Sequence, residues 1–482
     1  MDFVSKYVRE QKRYTKDNLK QLFGLSNDKI GTFIKNLKSA NVLYSVKRTA
    51  EQFQLSDLLE TDIIISSEDK DDCYYVFRYV GVIAIGNIII NCYPKYIESY
   101  TDDDLLSGKI PSEQMKQIIK VLRRFASKEQ IINMYNGDEQ NDSFNMLAVM
   151  LYLLKDYYDN GLYMQEEDII ELNGEGAILW DKTISDGFAI IQDNVPYYVD
   201  TYTTRVVDND YDFFQRLHRY VLTECANQLK EAGLLSLFEM EELCLSDEER
   251  SDFGDTNYIL YRIKSEIDIQ FSTRKQSLLK TLYAYLAQER TLKNNYGVSL
   301  FGTSSFHVIW EKTCAQILDN EFDKWRKHIE VPHWFVLDEN NSCYFPTKDK
   351  EDTLIPDIIS TYEKEGKKHF AIFDAKYYNI KLEKGQHPKN QPGISDVTKQ
   401  FLYELVLKKY IEKEFDVITN CFLMPTEVDG ENGVVKYGLV CMDMFSDLQP
   451  IQIRLLNAEI VYECYLNNKT LSFQRLKLNE SM

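Results

Sequence analysis

No CxxC pair occurs among the nine cysteines of this 482-residue chain, which are scattered along its length. That excludes a small disulfide framework and a clustered zinc site, and it points to reduced thiols in a cytoplasm. The six histidines show no HExxH or HxH spacing, so a histidine-bound hydrolytic zinc is not expected. His307 and His369 are read as packing or surface residues. No apolar run reaches about 18 residues, the length a membrane span needs; the longest, around VGVIAIGNIIINCYP, is broken by Gly and Asn. The charged start MDFVSKYVREQKRY lacks the apolar core of a secretory signal. A GxxxxGK phosphate loop, a GxSxG elbow and a helix-opening GxGxxG are absent too, so no nucleotide is expected to bind. Internal repeats and low-complexity tracts are also missing.

What remains is a globular composition, 44% hydrophobic and 13% aromatic, in a chain too long for one core. The net charge of −20 argues against a nucleic-acid partner, but its distribution does not. Residues 1–48 hold 11 Lys+Arg against 4 Asp+Glu, which leaves −27 on the rest. A basic head on an acidic body is the asymmetry of a local nucleic-acid footprint. That head, residues 1–62, reads as three short helices and a small wing. DFVSKYVREQKR is the first helix; Thr15 caps KDNLKQLF and Ser26 caps NDKIGTFIKNLKSA. In the third helix Ile30, Phe33, Ile34 and Leu37 form an apolar stripe, with Lys29, Thr32, Lys35 and Asn36 largely off it. The pattern resembles a winged helix, which implies that those four residues contact DNA.

Residues 63–205 read as β-rich, with Gly86-Asn87 as a tight hairpin turn in DCYYVFRYVGVIAIGNIIINCYPKYI. Helices are expected at SEQMKQIIKVLRRFA and FNMLAVMLYLLKDYYDN, and strands at AILWDKTI and YYVDTYTTRVV. Residues 206–296 read as long helices. From 297 to 482 the order is helix (SSFHVIWEKTCAQILDNEFDKW), three strands (SCYFPT, TLIPDIIS, HFAIFDAKYY), helix (SDVTKQFLYELVLKKYIEK), strand (DVITNCFLM). The fold class expected is therefore multi-domain α/β, or α+β.

The chemistry concentrates in LIPDIISTYEKEGKKHFAIFDAKYY, residues 354–378. Asp357, Asp374 and Lys376 stand inside apolar strands, where an uncompensated charge costs several kcal/mol. Asp374 and Lys376 are two apart, so they share a face, and a hairpin through EKEGKK brings Asp357 alongside. Two hard carboxylates can hold Mg²⁺ together with water and a substrate phosphate. The ion lowers the pKa of a bound water, and Lys376 can orient that water or stabilise the transition state. The Ala375 carbonyl is a further candidate ligand, and Glu311, on the helix before the strands, can reach the ion through water. Gln400 and Tyr403 lie on the following helix, where they can bridge the site and the DNA backbone. Asp396 on the same helix is read as serving its N-terminus. Glu365-Gly366-Lys367 also fits a Glu-x-Lys form, but in a polar turn that needs no functional explanation.

The order helix, three strands, helix, strand with Pro356-Asp357 and Asp374-Ala375-Lys376 is similar to the PD-(D/E)xK nuclease core. Three pieces, FRYVGVIAIGNIIINCYPKYI, FGTSSFHVIWEKTC and IPDII…FAIFDAKYY…TKQFLYE, make the chain resemble the LlaJI-type restriction endonucleases, relatives of the McrC nuclease subunit. The resemblance implies a DNA-cutting subunit of a phage-defence restriction system, dependent on Mg²⁺ with Mn²⁺ as a substitute. It also implies a separate McrB-like AAA+ GTPase partner that docks on residues about 63–205, and double-stranded DNA as substrate. A double-strand cut needs two active sites, hence dimerisation, or two sequential nicks. The competing readings are a DNA-binding adaptor with a non-catalytic nuclease-like scaffold, and a nuclease acting alone in repair or transposition.

Overall fold

At Gly86 and Asn87 the chain reverses between two strands buried on both faces, and Gly86 takes the positive φ of +58° that such a turn demands. The computed structural model in which this turn is seen describes residues 3–47, 73–126, 145–164, 166–193, 195–208, 213–288, 292, 297–329, 333–336, 343–346 and 354–479. They are a mixture of helices and several sheets. Contacts divide the chain into two units: residues 1–143, 237–239 and 296–482 form the first, and 144–236 with 240–295 the second.

The first unit begins with a correction. Residues 4–9 are not helical: strand β1 (Val4–Arg9) is followed by a short β2 (Arg13–Tyr14). Helices α1 (Lys16–Phe23) and α2 (Asn27–Ser39) come next, then β3 (Leu43–Lys47), β4 (Cys73–Phe77), β5 (Val80–Ile85) and β6 (Ile88–Tyr93). β1 runs parallel to β6 along its whole length, and the β-branched Val4 and Val8 suit that ladder better than a helix. Tertiary pairing overrides the local helical pattern here. The caps behave as the sequence implies. Thr15 forms a capping box with Asn18, and Ser26 is the N-cap of α2, although its hydroxyl makes no capping bond. Ile30, Phe33, Ile34 and Leu37 are buried in one cluster with Leu19, Phe23 and Phe77. β2, β4 and β3 make a small antiparallel sheet beside α1 and α2.

Helix α3 (Ser112–Ala126) and strand β7 (Val298–Thr303) complete the first half of the unit. β7 closes a four-stranded sheet in the order β1-β6-β5-β7, pairing Gly302 with Gly81. The two backbones touch there: a Cβ on Gly81 would lie 2.1 Å from the Phe301 carbonyl oxygen, so neither glycine tolerates a side chain.

The second half carries α4 (Phe306–Ile317), β8 (Ile358–Lys364), β9 (Lys367–Ala375), α5 (Ile394–Ile411), β10 (Val417–Thr426), β11 (Val434–Val440), β12 (Ile451–Asn457) and α6 (Ala458–Leu466). The strands form one mixed sheet in the order β8-β9-β10-β12-β11. β8 and β9 are an antiparallel hairpin closed by Glu365 and Gly366, while β9, β10 and β12 run parallel. The expected strand at SCYFPT pairs instead with His333–Val336 in a separate ribbon, so only two of the three strands read before α5 enter this sheet. The helix expected over 304–325 stops at Ile317, and Asp319 takes a positive φ before a short turn at Phe322–Trp325. α5 starts two residues earlier than expected, after Gly393 rather than Ser395. On its apolar side Leu405 is 48% exposed, and Glu404 is buried instead because its carboxylate accepts from Gln449 N and Asn420 Nδ2.

The second unit packs helices Met146–Asn160, Phe213–Glu231, Thr256–Ile269 and Thr273–Ala287 around Leu217, Leu222, Ile263 and Leu282. Strands Glu166–Leu172, Ala177–Ile178, Ala189–Gln192, Val195–Tyr198 and Tyr202–Asp208 form its β part. AILWDKTI is only briefly a strand and becomes a helix at Trp180–Asp186. His218 is fully buried and accepts from Tyr163 N–H at 3.0 Å through Nδ1. Burial pushes its imidazole down to about 4; Asp156 opposes this and Arg274 adds to it.

The folded unit thus holds His218 neutral, whereas the unfolded chain protonates it near pH 6.5. Stability from this group is intact above the unfolded value and is lost as pH falls from about 6.5 to about 4. The loss reaches about 3 kcal/mol at the bottom of that window. Replacing His218 by Asn keeps an acceptor for Tyr163. Urea unfolding at pH 7 and pH 4.5 is expected to show a smaller acid loss in the variant than in the unaltered protein.

Candidate active site

The β8–β9 hairpin sets the site by register. Ile358 pairs with Phe373, so one step further Asp357 stands opposite Asp374. Asp374 is 3% exposed, and its Oδ1 has no hydrogen-bond partner. Burial first, then hydrogen bonding and repulsion from Asp357, drive the Asp374 pKa well above the carboxylate range; Lys376 opposes them. Two carboxylates therefore face each other in a place that cannot hold both charges unaided.

Around this pair the other residues fall into place. Asp357 Oδ2 accepts the Ala375 N–H at 3.0 Å, so the Ala375 peptide belongs to the site. Lys376 Nζ lies 3.0 Å from Asp374 Oδ2 and 3.3 Å from Asp396 Oδ1. Burial works against the ammonium, but Asp374, Asp396 and Asp357 outweigh it and hold its pKa above the ordinary value. Glu311, from the middle of α4, is pushed up to about 7 by burial and then by Asp357, against Lys376. Tyr403 on α5 feels the same carboxylates: burial, Asp374 and Asp357 raise its hydroxyl pKa.

Gln400 is placed differently. It is fully buried beneath the sheet, where its amide donates to the Ile372 carbonyl at 3.2 Å and to Asn420 Oδ1 at 2.5 Å. It props the strand that carries Asp374, and its own Oε1 is left without a partner. Lys29, Thr32 and Lys35 lie exposed on α2, with Asn36 partly so, well apart in sequence from this cluster. Glu365 and Lys367 are exposed in the turn, and His369 is buried against Tyr362, its ring stacked at 4.7 Å.

Three contributors escape a reading of the sequence. Asp396 is in the first turn of α5, as read, but it also pairs with Lys376 and accepts from Tyr378 Oη at 3.4 Å. Asn320 clips the start of β8: its Nδ2 donates to the Asp357 carbonyl and its Oδ1 accepts from Ile359 N–H. Asn420 answers Gln400 from β10. Only the chain reversal at Asp319 brings Asn320 there, and no motif announces it.

The donor set fits a hard divalent cation. Among the described residues no three His, Cys, Asp or Glu side chains converge as a closed cage. Mg²⁺ does not need one, since one or two carboxylates plus water and phosphate suffice. The buried, unbonded Asp374 Oδ1 facing Asp357 is where such an ion would relieve the repulsion.

The chain belongs to the LlaJI restriction endonuclease family, whose model matches residues 79–459. One relative is the Type II restriction enzyme BsuMI component YdjA of Bacillus subtilis (strain 168), 28% identical over 475 residues, which are 98% of this chain and 91% of that protein. A solved structure, the refined half-complex from a tetradecameric assembly of Thermococcus gammatolerans McrB AAA+ hexamers with bound McrC, aligns with 96% of this chain and 100% of its own. Its identity is 13% and its TM-score 0.38, a likeness too loose to define a shared fold. Among the described residues no helix is long and apolar enough to cross a membrane.

Proposed function

We propose that this chain is the Mg²⁺-dependent DNA endonuclease subunit of a restriction system and that its β8–β12 sheet is a PD-(D/E)xK nuclease core. The observation that carries the reading is the buried Asp374 facing the half-buried Asp357, with Lys376 beside them. Membership of a restriction endonuclease family supports it. Asp357 and Asp374 would hold Mg²⁺, or Mn²⁺ in its place, with the Ala375 carbonyl and with Glu311 through water. A bound divalent ion supplies an acidified water and a sink for charge on the phosphate.

The chain's own residues do the rest. Lys376, fixed between Asp374 and Asp396, presents an ammonium to the transferring oxygens without a search over rotamers. Glu311, with a pKa near neutrality, is suited to exchange a proton with the attacking water. Tyr403 donates to a phosphate oxygen from the α5 side, and Gln400 positions the β9 strand. Lys29, Thr32, Lys35 and Asn36 on α2 contact the duplex in the manner of a winged helix.

We also propose an McrB-like AAA+ GTPase partner, docking within residues 63–205. The relative from Bacillus subtilis is named as a component of an enzyme, which supports a divided system. Within that range Leu172, Trp180, Phe188, Ile191 and Val199 stand exposed, Phe188 at 82% and Ile191 at 73%. A monomeric surface rarely carries so concentrated an apolar segment without a partner. The chain would act in the cytoplasm and cut both strands of DNA as a dimer or by sequential nicks.

Plasmid cleavage with Mg²⁺, with and without the GTPase, tests the first proposal. Asp374→Ala and Lys376→Ala are expected to lower the rate by at least about 10³-fold, while the circular dichroism spectrum is retained. Unchanged cleavage in both variants would sink the nuclease reading, and full activity without the GTPase would assign a stand-alone enzyme. For the docking surface, Phe188→Ser combined with Ile191→Ser should abolish GTPase-stimulated cleavage. Undiminished stimulation would move the docking site elsewhere.

A further inference from the structure

Glu10 takes no part in the carboxylate pair, yet it reaches the residue next to Lys376. It follows β1 directly and is buried, 4% exposed. Its backbone is fixed by β6, since its N–H donates to the Tyr93 carbonyl at 2.9 Å. One oxygen of its side chain, Oε2, accepts both the Tyr377 hydroxyl at 2.6 Å and the Lys95 N–H at 3.2 Å. The shorter of these is the separation of a hydroxyl bonded to a charged acceptor.

Tyr377 is held at its ring as well. The ring centroid lies 5.4 Å from that of Phe306, in the first turn of α4, and 6.2 Å from that of Tyr96. The Lys95 ammonium sits 4.6 Å from the same centroid. An apolar body wedged between α4 and the chain after β6, with a bonded hydroxyl at its tip, fixes the side chain at both ends. The backbone of the preceding residue is fixed with it. On its other side Lys376 donates its N–H to the Leu423 carbonyl of β10 at 2.9 Å, and that oxygen also accepts the Trp310 indole N–H from α4.

A second tie joins the same two segments. Arg9 Nη1 lies 3.6 Å from Glu98 Oε1, and Glu98 Oε2 lies 3.0 Å from Lys381 Nζ. Arg9 and Glu10, neighbours in the chain, thus both reach the segment that leaves β9, one through Glu98 and the other directly. The Glu98 bridges are partly exposed, where such pairs contribute little, so the buried Glu10 contact carries the weight.

This matters because Lys376 must set one ammonium between Asp374 at 3.0 Å and Asp396 at 3.3 Å. Asp374 belongs to β9, whereas Asp396 comes from α5. A shift of the strand end would therefore trade one partner for the other.

We propose that Glu10 is a positioning residue for Lys376, acting through the Tyr377 hydroxyl. The assignment rests on the nuclease reading for what the lysine does. On that reading the N-terminal strand is the bearing against which the lysine is set, and a misplacement of about 1 Å there costs up to about 10²-fold in rate.

Tyr377→Phe in the full-length chain tests this, since it removes only the hydroxyl and keeps the ring against Phe306. In plasmid cleavage with Mg²⁺ and the GTPase, kcat is expected to fall about tenfold with KM held within about twofold. In reductive methylation read by peptide mass spectrometry, Lys376, whose side chain is 20% exposed, should react about tenfold faster than in the unaltered protein. Glu10→Ala should match Tyr377→Phe, and Glu10→Gln, which keeps an oxygen for both donors, should stay within about threefold of the unaltered protein. Tyr163→Phe is the control: it removes the same kind of buried bond, to Glu266 Oε1 at 2.8 Å in the second unit, and should move neither readout. Methylation of Lys376 no faster in Tyr377→Phe than in Tyr163→Phe overturns the proposal, as does an unchanged kcat in a chain that cuts. If the unaltered chain does not cut DNA but Tyr377→Phe still speeds methylation of Lys376, the nuclease reading falls and the positioning contact stands.

Discussion

Repulsion between Asp357 and Asp374 is the constraint to which the rest of this site answers. A hairpin register places one carboxylate opposite the other, and the burial of Asp374 removes much of the water that would screen them. Lys376 offsets part of the cost, and Asp396 keeps Lys376 in place. The Ala375 N–H takes one oxygen of Asp357. Asp374 Oδ1 is still left with nothing, and a fold optimised only for stability would have no reason to keep it so.

The elements around the pair serve to keep it close. Asn320 pins the start of β8, and Gln400 with Asn420 holds β9 against α5 and β10. From the other side, Glu10 at the end of β1 receives the Tyr377 hydroxyl, one residue beyond Lys376. The N-terminal strand is thereby tied into the strand end that bears the lysine. Removing water from Glu10 is tolerable only because Lys95, Tyr377 and Arg78 surround it.

Much of this was legible in the sequence. The two-residue spacing of Asp374 and Lys376, the polar turn at Glu365-Gly366 and the apolar stripe of α2 each follow from a local period. The GN turn between β5 and β6 was equally plain. What stayed hidden depends on partners distant in the chain. Val4–Arg9 looks helical until β6 offers an edge, and SCYFPT looks like a sheet strand until His333–Val336 pairs with it. Gln400 and Tyr403 lie on the same helix, yet Gln400 turns under the sheet, because Asn420 on β10 captures it, while the Tyr403 ring packs against the cluster of Ile359 and Phe370. The match of Gly81 to Gly302 joins residues more than two hundred positions apart, and neither shows a motif.

Thermal unfolding with and without Mg²⁺, for the unaltered protein and for Asp374→Asn, measures the central claim most directly. Without divalent ion Asp374→Asn should melt higher, since one of two opposed carboxylates has been neutralised. Millimolar Mg²⁺ should raise the melting temperature of the unaltered protein and leave that of the variant unmoved, because only the intact pair binds the ion. An unaltered protein whose melting point ignores Mg²⁺, together with a variant no more stable than it, would contradict a metal site built on this pair.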